Sequence, residues 1–180
     1  STFGGALSAA GGFSTGGRCG GVGTLYARAN SVSVGDLILD NSGRTNAMET
    51  PITAPVAYRL TLTNATAYAT EPLTLASLLL TGGAVLTHVA APAGETNDRL
   101  DLTIAGEVTI DATSRVDANA KGYAPTNGPG RGLNDLNSPS SGGHGGPGGN
   151  SLSLAGGGAY DALLAPPQWG SGGGDMGNTP

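Results

Sequence analysis

Three carboxylates, Asp101, Asp111 and Asp117, fall inside one run of alternating polar and apolar residues. Outward carboxylates on strands are what polysaccharide-cleaving enzymes use as acid, base or nucleophile, and such a pair has to stand within roughly 5 to 10 Å. Side-chain parity over 100–117 puts these three on different faces, so solvated acidic residues are the preferred reading and no catalytic residue is assigned. Asp135, Asp161 and Asp175 are oxygen donors of the type calcium takes, but no D-x-D-x-D-G loop or acidic nonapeptide repeat gathers them. His144 sits between two glycine pairs, where an imidazole is either a ligand or base, or a hydrogen-bonding partner for exposed glycine carbonyls. With only His88 and Cys19 besides, no zinc cluster can be built and no metal or other cofactor is expected. His88 reads as an outward residue at a strand end. Neither a G-x-S-x-G elbow nor a G-x-x-x-x-G-K-[ST] phosphate loop occurs, so the chain is not expected to be an enzyme.

Binding chemistry is represented by Tyr160 and Trp169, whose flat rings are the candidates for stacking on sugars. Their competing role is to anchor a loop-rich segment, because aromatic residues are only 4% of the chain. Asn64-Ala65-Thr66 is a glycosylation sequon placed where a turn is expected. Cys19, next to Arg18, is either an exposed thiol for an intermolecular bond or a small buried residue.

The elements that must position these groups follow from composition and spacing. Glycine and proline together make up 44 of 180 residues, against 38% hydrophobic and only 12% charged residues. A core of Leu, Val, Ile and Ala is therefore available, while long helices are not expected. One lysine, Lys121, and seven arginines leave no basic footprint for nucleic acid or an acidic membrane surface. The longest apolar candidate, Leu73 to Val89, is broken by Thr74, Ser77, Thr81, Gly82 and Gly83, short of the roughly 18 residues a bilayer-spanning helix needs. The beginning, Ser1-Thr2-Phe3-Gly4-Gly5, lacks a basic segment followed by an apolar one, so it reads as a mature or excised end.

Three zones are visible: a glycine-rich 1–24, a middle zone 25–123 and a glycine- and proline-rich 124–180. In the middle zone apolar residues alternate, as at Val32 and Val34, Leu37 and Leu39, Leu60 and Leu62, Leu73 and Leu75, Leu100 to Ile104, and Val108 and Ile110. That period marks strands. Leu39, Leu62, Leu80 and Leu102 are spaced as successive rungs of a β-solenoid, with Gly106 as a corner between two strands and Val116 beginning a third face. A sandwich is the competing architecture, but it more often carries aromatic anchors and Asn-Gly hairpins between its strands. Leu152, Leu154, Tyr160, Leu163, Leu164 and Trp169 predict that 124–180 is an ordered flap packed on the solenoid.

The segments Gly20 to Tyr26, Gly35 to Asn41, Leu78 to Leu86 and Leu100 to Tyr123, followed by Ser141 to Gly146, Ala159-Tyr160-Asp161, Pro166 and Gly170 to Gly174, occur in an order that resembles a repeat unit of large glycine-rich bacterial cell-surface proteins. The resemblance covers about residues 15 to 175. It implies an all-β, parallel β-helix or β-solenoid architecture, an extracellular or cell-surface location and a structural or adhesive use, and it brings no catalytic residues. The first zone then looks like the end of a neighbouring unit's insert. Open strand ladders at the ends of such a unit would be satisfied by stacking, so end-to-end association of copies into a fibre or layer is expected. A glycan-binding module recognising a surface polysaccharide is the alternative, and a polysaccharide-active enzyme a further one.

Overall fold

A computed structural model of the chain describes residues 7–13, 15, 19–44, 48–89, 100–162, 164 and 166–177. The alternating leucine pattern produces ten strands: β1 (Leu25–Ala27), β2 (Gly35–Asp40), β3 (Thr50–Ile52), β4 (Tyr58–Thr63), β5 (Thr66–Ala69), β6 (Leu73–Thr81), β7 (Val85–His88), β8 (Leu102–Ile104), β9 (Val108–Ile110) and β10 (Arg115–Val116). No helix occurs among the described residues. From β2 to β8 the chain alternates between two sheets, one ordered β1-β2-β4-β6-β8 with β9 also on β6, the other ordered β10-β7-β5-β3.

Register follows the sequence spacing at first. Leu39 pairs with Leu62, and Leu62 with Leu80, so leucines stack in columns with their side chains on one face. Leu39, Leu62 and Leu80 are fully buried, together with Leu60, Leu75, Leu78 and Leu86. Small residues, Ala65, Ala67, Ala69 and Ala84, complete this core. The strands end at a recurring corner where Ser42, Asn64 and Gly82 all have positive φ (53°, 50° and 65°). The ladder runs one residue past the strands there, with Asn41 N–H donating to Thr63 O (3.0 Å) and Asn64 N–H to Thr81 O (3.1 Å).

The expected parallel β-helix, or β-solenoid, with a C-terminal flap is corrected by this topology. The first sheet is mixed, because β1 runs antiparallel to β2 beside otherwise parallel pairs. Val32 and Val34 lie in a loop instead of a strand. Leu102 pairs with Leu73, not with Leu80, and β8 and β9 both lie on β6, so they form one interrupted edge and not two faces of a three-sided coil. Gly106 makes the interruption: a Cβ there would meet the Ala76 carbonyl oxygen at 2.5 Å. Period two identifies strands and their inward residues, but it does not say which neighbour each strand selects or where the chain reverses.

All ten strands belong to one compact unit, Ser1–His88 with Leu100–Asp117; the other is Val89–Arg99 with Ala118–Pro180. The second unit contains no strand among its described residues, yet its backbone is extensively hydrogen-bonded between segments. The bonds advance in steps of three. Tyr123 N–H and Thr126 N–H reach Gly170 O and Gly173 O, and Gly157 N–H and Tyr160 N–H reach Ser141 O and His144 O, so each of these pairs of segments runs parallel. Ser140 and Gly143 donate to Leu133 O and Gly130 O, and Ser171 and Gly174 to Gly143 O and Ser140 O, in antiparallel fashion. A step of three with these hydrogen bonds directed sideways is the repeat of polyproline II chains, here mostly glycine. Absence of Cβ is what lets these chains approach. At Gly157, Gly172 and Gly174 an added Cβ would fall well under 3.0 Å from a backbone oxygen of the neighbouring segment.

Candidate functional site

Of the predicted carboxylates, Asp111 serves the backbone in this fold. Asp111 leaves β9 at the corner and accepts hydrogen bonds from Gly82 N–H (2.7 Å), Ser114 N–H (2.8 Å), Thr113 N–H (2.9 Å) and Thr113 Oγ1 (2.8 Å). These donors, Gly82 first and then Ser114 and Thr113, hold its carboxyl well below the usual carboxylate range. Asp117 pairs with Arg115, whose Nε donates to Asp117 Oδ2 at 2.9 Å. Asp101 precedes β8, and its main-chain carbonyl accepts from Leu73 N–H at 2.9 Å. Asp135 caps a loop by accepting from Asn137 N–H, Ser138 N–H and Ser153 Oγ, and the first two of these chiefly lower its pKa. Among the described residues no group of three His, Cys, Asp or Glu side chains could hold a metal ion.

In the glycine-rich unit His144, Tyr160, Asp161, Trp169 and Ser171 come together. His144 Nε2 stands 3.4 Å from Asp161 Oδ2, which also accepts Gln168 N–H at 2.8 Å. The His144 ring meets the Tyr160 ring edge-on, with centroids 5.0 Å apart. Tyr160 OH donates to the Trp169 carbonyl oxygen, and Ser171 Oγ donates to Tyr160 OH at 2.9 Å while itself accepting Gly130 N–H. Burial is the main cause that raises the Tyr160 phenol. The serine is thus engaged by Tyr160 and Gly130, and His144 by Asp161. Among the described residues no hydroxyl or thiol is hydrogen-bonded to the imidazole, and the bonds of the cluster tie glycine segments together.

The two glycan-stacking candidates take different positions. Trp169 is only 5% exposed and packs against Tyr123 at 5.6 Å between centroids, so its ring face is covered. Tyr160 is half-buried under His144. Tyr123, Pro125 and Ser171 instead border an open cleft of about 540 Å³. Of the large apolar residues expected to pin this region, Trp169 is buried and Leu154 and Tyr160 are half-buried, but Leu152 and Leu164 are almost fully exposed, and Leu163 lies outside the described residues. Backbone packs directly on backbone here, which leaves no room between segments for a leucine. Asn64 is half-buried, and its side-chain amide donates to Gly82 O. Cys19 is buried, and its carbonyl accepts from Met48 N–H at 3.2 Å. His88 is buried in the second sheet instead of facing out.

The feature that sequence reading missed is an uncovered end of the leucine core. Val108 lies beside Leu78 and Ile110 beside Leu80 in the β6 ladder, and Val116 beside Leu86 in β7. Their partners are at most 2% exposed, but Val108, Ile110 and Val116 are 50, 42 and 40% exposed. The opposite end is built differently. There β1 crosses β2 in the antiparallel sense, β3 carries Pro51, which has no N–H to offer, and Thr50 Oγ1 donates to Val22 O at 2.7 Å. No described helix is long and apolar enough to cross a membrane. Comparison with protein-family models, curated proteins and solved structures finds no match to the chain.

Proposed function

We propose that this chain is a structural or adhesive module of an extracellular or cell-surface protein, self-associating through its strand edge and carrying no catalysis of its own. The observation that carries this reading is the uncovered core end, where Val108, Ile110 and Val116 continue buried leucine columns into solvent. Apolar side chains that carry a buried column into solvent at the end of a sheet favour strand addition. Supporting a structural use, the carboxylates and hydroxyls that could do chemistry are engaged as turn clasps and inter-segment ties. The likeness in residue order to repeat units of large glycine-rich bacterial surface proteins supports the location and the use.

Sedimentation velocity of the full chain across a concentration series tests the reading. The expected result is a mass that rises with concentration for the natural sequence and stays monomeric for the double variant Val108→Lys, Ile110→Lys, whose circular dichroism is unchanged because both sites are exposed. A natural chain that stays monomeric at every concentration, or a double variant that associates equally well, refutes it.

A further inference from the structure

The sugar-stacking role expected of Tyr160 and Trp169 is open to a different aromatic residue, Tyr26. A cleft of about 340 Å³ lies where β1 and β3 form the edges of the two sheets, at the end of the core away from β9. Its floor is apolar, with Ile52 and Tyr58 buried beside the half-buried Leu37, and Tyr58 is fixed there by its OH donating to Thr53 O at 2.8 Å. Tyr26 forms one wall. A Cβ on Gly35 would meet the Tyr26 ring and hydroxyl at 2.5–2.6 Å, so glycine is what lets this ring lie on the β2 backbone. Tyr26 nevertheless remains 52% exposed. Going beyond the self-association reading, we infer that this cleft binds one neutral sugar ring of a glycan, stacked on Tyr26.

Charge, size and polarity select that occupant. No charged residue lines the cleft, and Glu71, the carboxylate close to Tyr58, is engaged by Ala54 N–H at 3.1 Å. An anionic ligand therefore finds no cation there, and a cationic one no free carboxylate. The volume lies at the small end of the roughly 300–1,000 Å³ that ligand pockets span. A proline-rich peptide, which tyrosine surfaces also take, advances about 3.1 Å per residue and needs an aromatic-lined groove several residues long. One tyrosine face in a cleft of this volume does not supply that. A purely apolar ligand would cut off the exposed hydroxyls of Thr24 and Thr53 at the rim from water. A pyranose carries the matching mixture, a flat C–H face for the Tyr26 ring and hydroxyls at its edge for the two threonines. The walls are stiff before any ligand arrives, since Pro51 and Pro55 also line the cleft and have fixed φ, which lowers the cost of binding. Because the cleft and the β9 edge lie at opposite ends of the sheets, copies joined through that edge keep it open.

The test is saturation-transfer difference NMR of the full chain with the methyl pyranosides of glucose, galactose, mannose, rhamnose, fucose and N-acetylglucosamine. Methyl glucuronide and decaproline are the charged and peptide controls. The expected result is transfer to the ring C–H protons of at least one neutral pyranoside, and an affinity at least about tenfold weaker in Tyr26→Ala. Tyr26→Phe, which keeps the ring face, should retain most of the affinity. Gly35→Ala pushes the ring off the strand without removing it and should weaken binding too; it carries the comparison if circular dichroism shows that Tyr26→Ala has lost its fold. The Val108→Lys, Ile110→Lys double variant should bind as the natural chain does, which separates this site from self-association. Silence from every neutral pyranoside, undiminished binding by folded Tyr26→Ala or Gly35→Ala, or tighter binding of either control overturns the inference, whatever sedimentation shows.

Discussion

Replacing Gly157 by alanine tests the backbone-on-backbone packing of the second unit most directly. Its added methyl would point at the Gly130 carbonyl oxygen, well under the 3.0 Å below which such contacts do not occur. That oxygen has to retreat by about 1 Å, an overpacking strain that typically costs about 1–3 kcal/mol. The same oxygen accepts Gly143 N–H at 2.8 Å. Loosening that bond adds about 1 kcal/mol, while the stiffer unfolded chain returns roughly 0.4–1 kcal/mol. The net expectation is a loss of about 2–3 kcal/mol. The adjacent Gly158 is the control, because a Cβ there meets nothing within 4 Å. Gly158→Ala should be neutral or slightly stabilising, within about 1 kcal/mol. Urea unfolding followed by fluorescence reads this unit cleanly, since Trp169 is the sole tryptophan and is buried within it. If Gly157→Ala unfolds within about 0.5 kcal/mol of Gly158→Ala, the close approach of the glycine segments does not determine stability and the reasoning fails.

The remaining predictions concern protonation in the sheet unit. Burial, and next the charge of Glu71, push the Tyr58 phenol up to about 12, so the stability it contributes is complete below its ordinary value of 10.0 and is lost as pH rises from there toward about 12. Tyr58→Phe should flatten that alkaline decline while costing about 1 kcal/mol at neutral pH through loss of the hydrogen bond to Thr53 O; urea midpoints at about pH 8 and about pH 11 check both parts. Asp111 has the opposite sign. Its lowered pKa contributes stability above the ordinary carboxylate value of 3.8, and this is lost as pH falls through the lowered value. Asp111→Asn should weaken the protein at neutral pH and make acid unfolding less steep, and an unchanged acid profile by circular dichroism would count against the clasp.

The strand-forming residues could be read from the sequence because burial on one face imposes period two, and Leu37, Leu39, Leu60, Leu62, Leu73 and Leu75 all obey it. Spacing even identified real partners, Leu39 with Leu62 and Leu62 with Leu80. It failed at Leu102, since the glycine break at Gly106 sets two short strands on one long β6 and moves the register. The antiparallel β1 left no trace, because three residues with Tyr26 and Ala27 exposed carry no pattern. Asp111 was recognised as a residue of interest but for the wrong reason: a carboxylate outside a strand and one clasping a corner have the same sequence signature. In the tail, residue type misled. Leu152 and Leu164 suggested burial, yet packing there is done by glycines whose contribution is the side chain they lack.

That glycine packing also sets how the protein responds to temperature. The heat capacity of unfolding rises with apolar surface released and falls with polar surface released. Leucine-lined sheets release much of the first, so their stability follows the usual dome and weakens in the cold as well as in the heat. Glycine segments that bury peptide groups and leave Leu136, Leu152 and Leu164 in water release little apolar surface, so their stability changes almost linearly with temperature and cooling does not loosen them. One polypeptide thus joins two materials with different thermal laws. Calorimetry of the full chain should resolve them, with the glycine unit showing a heat-capacity step well below the ordinary 12–15 cal/mol/K or so per residue.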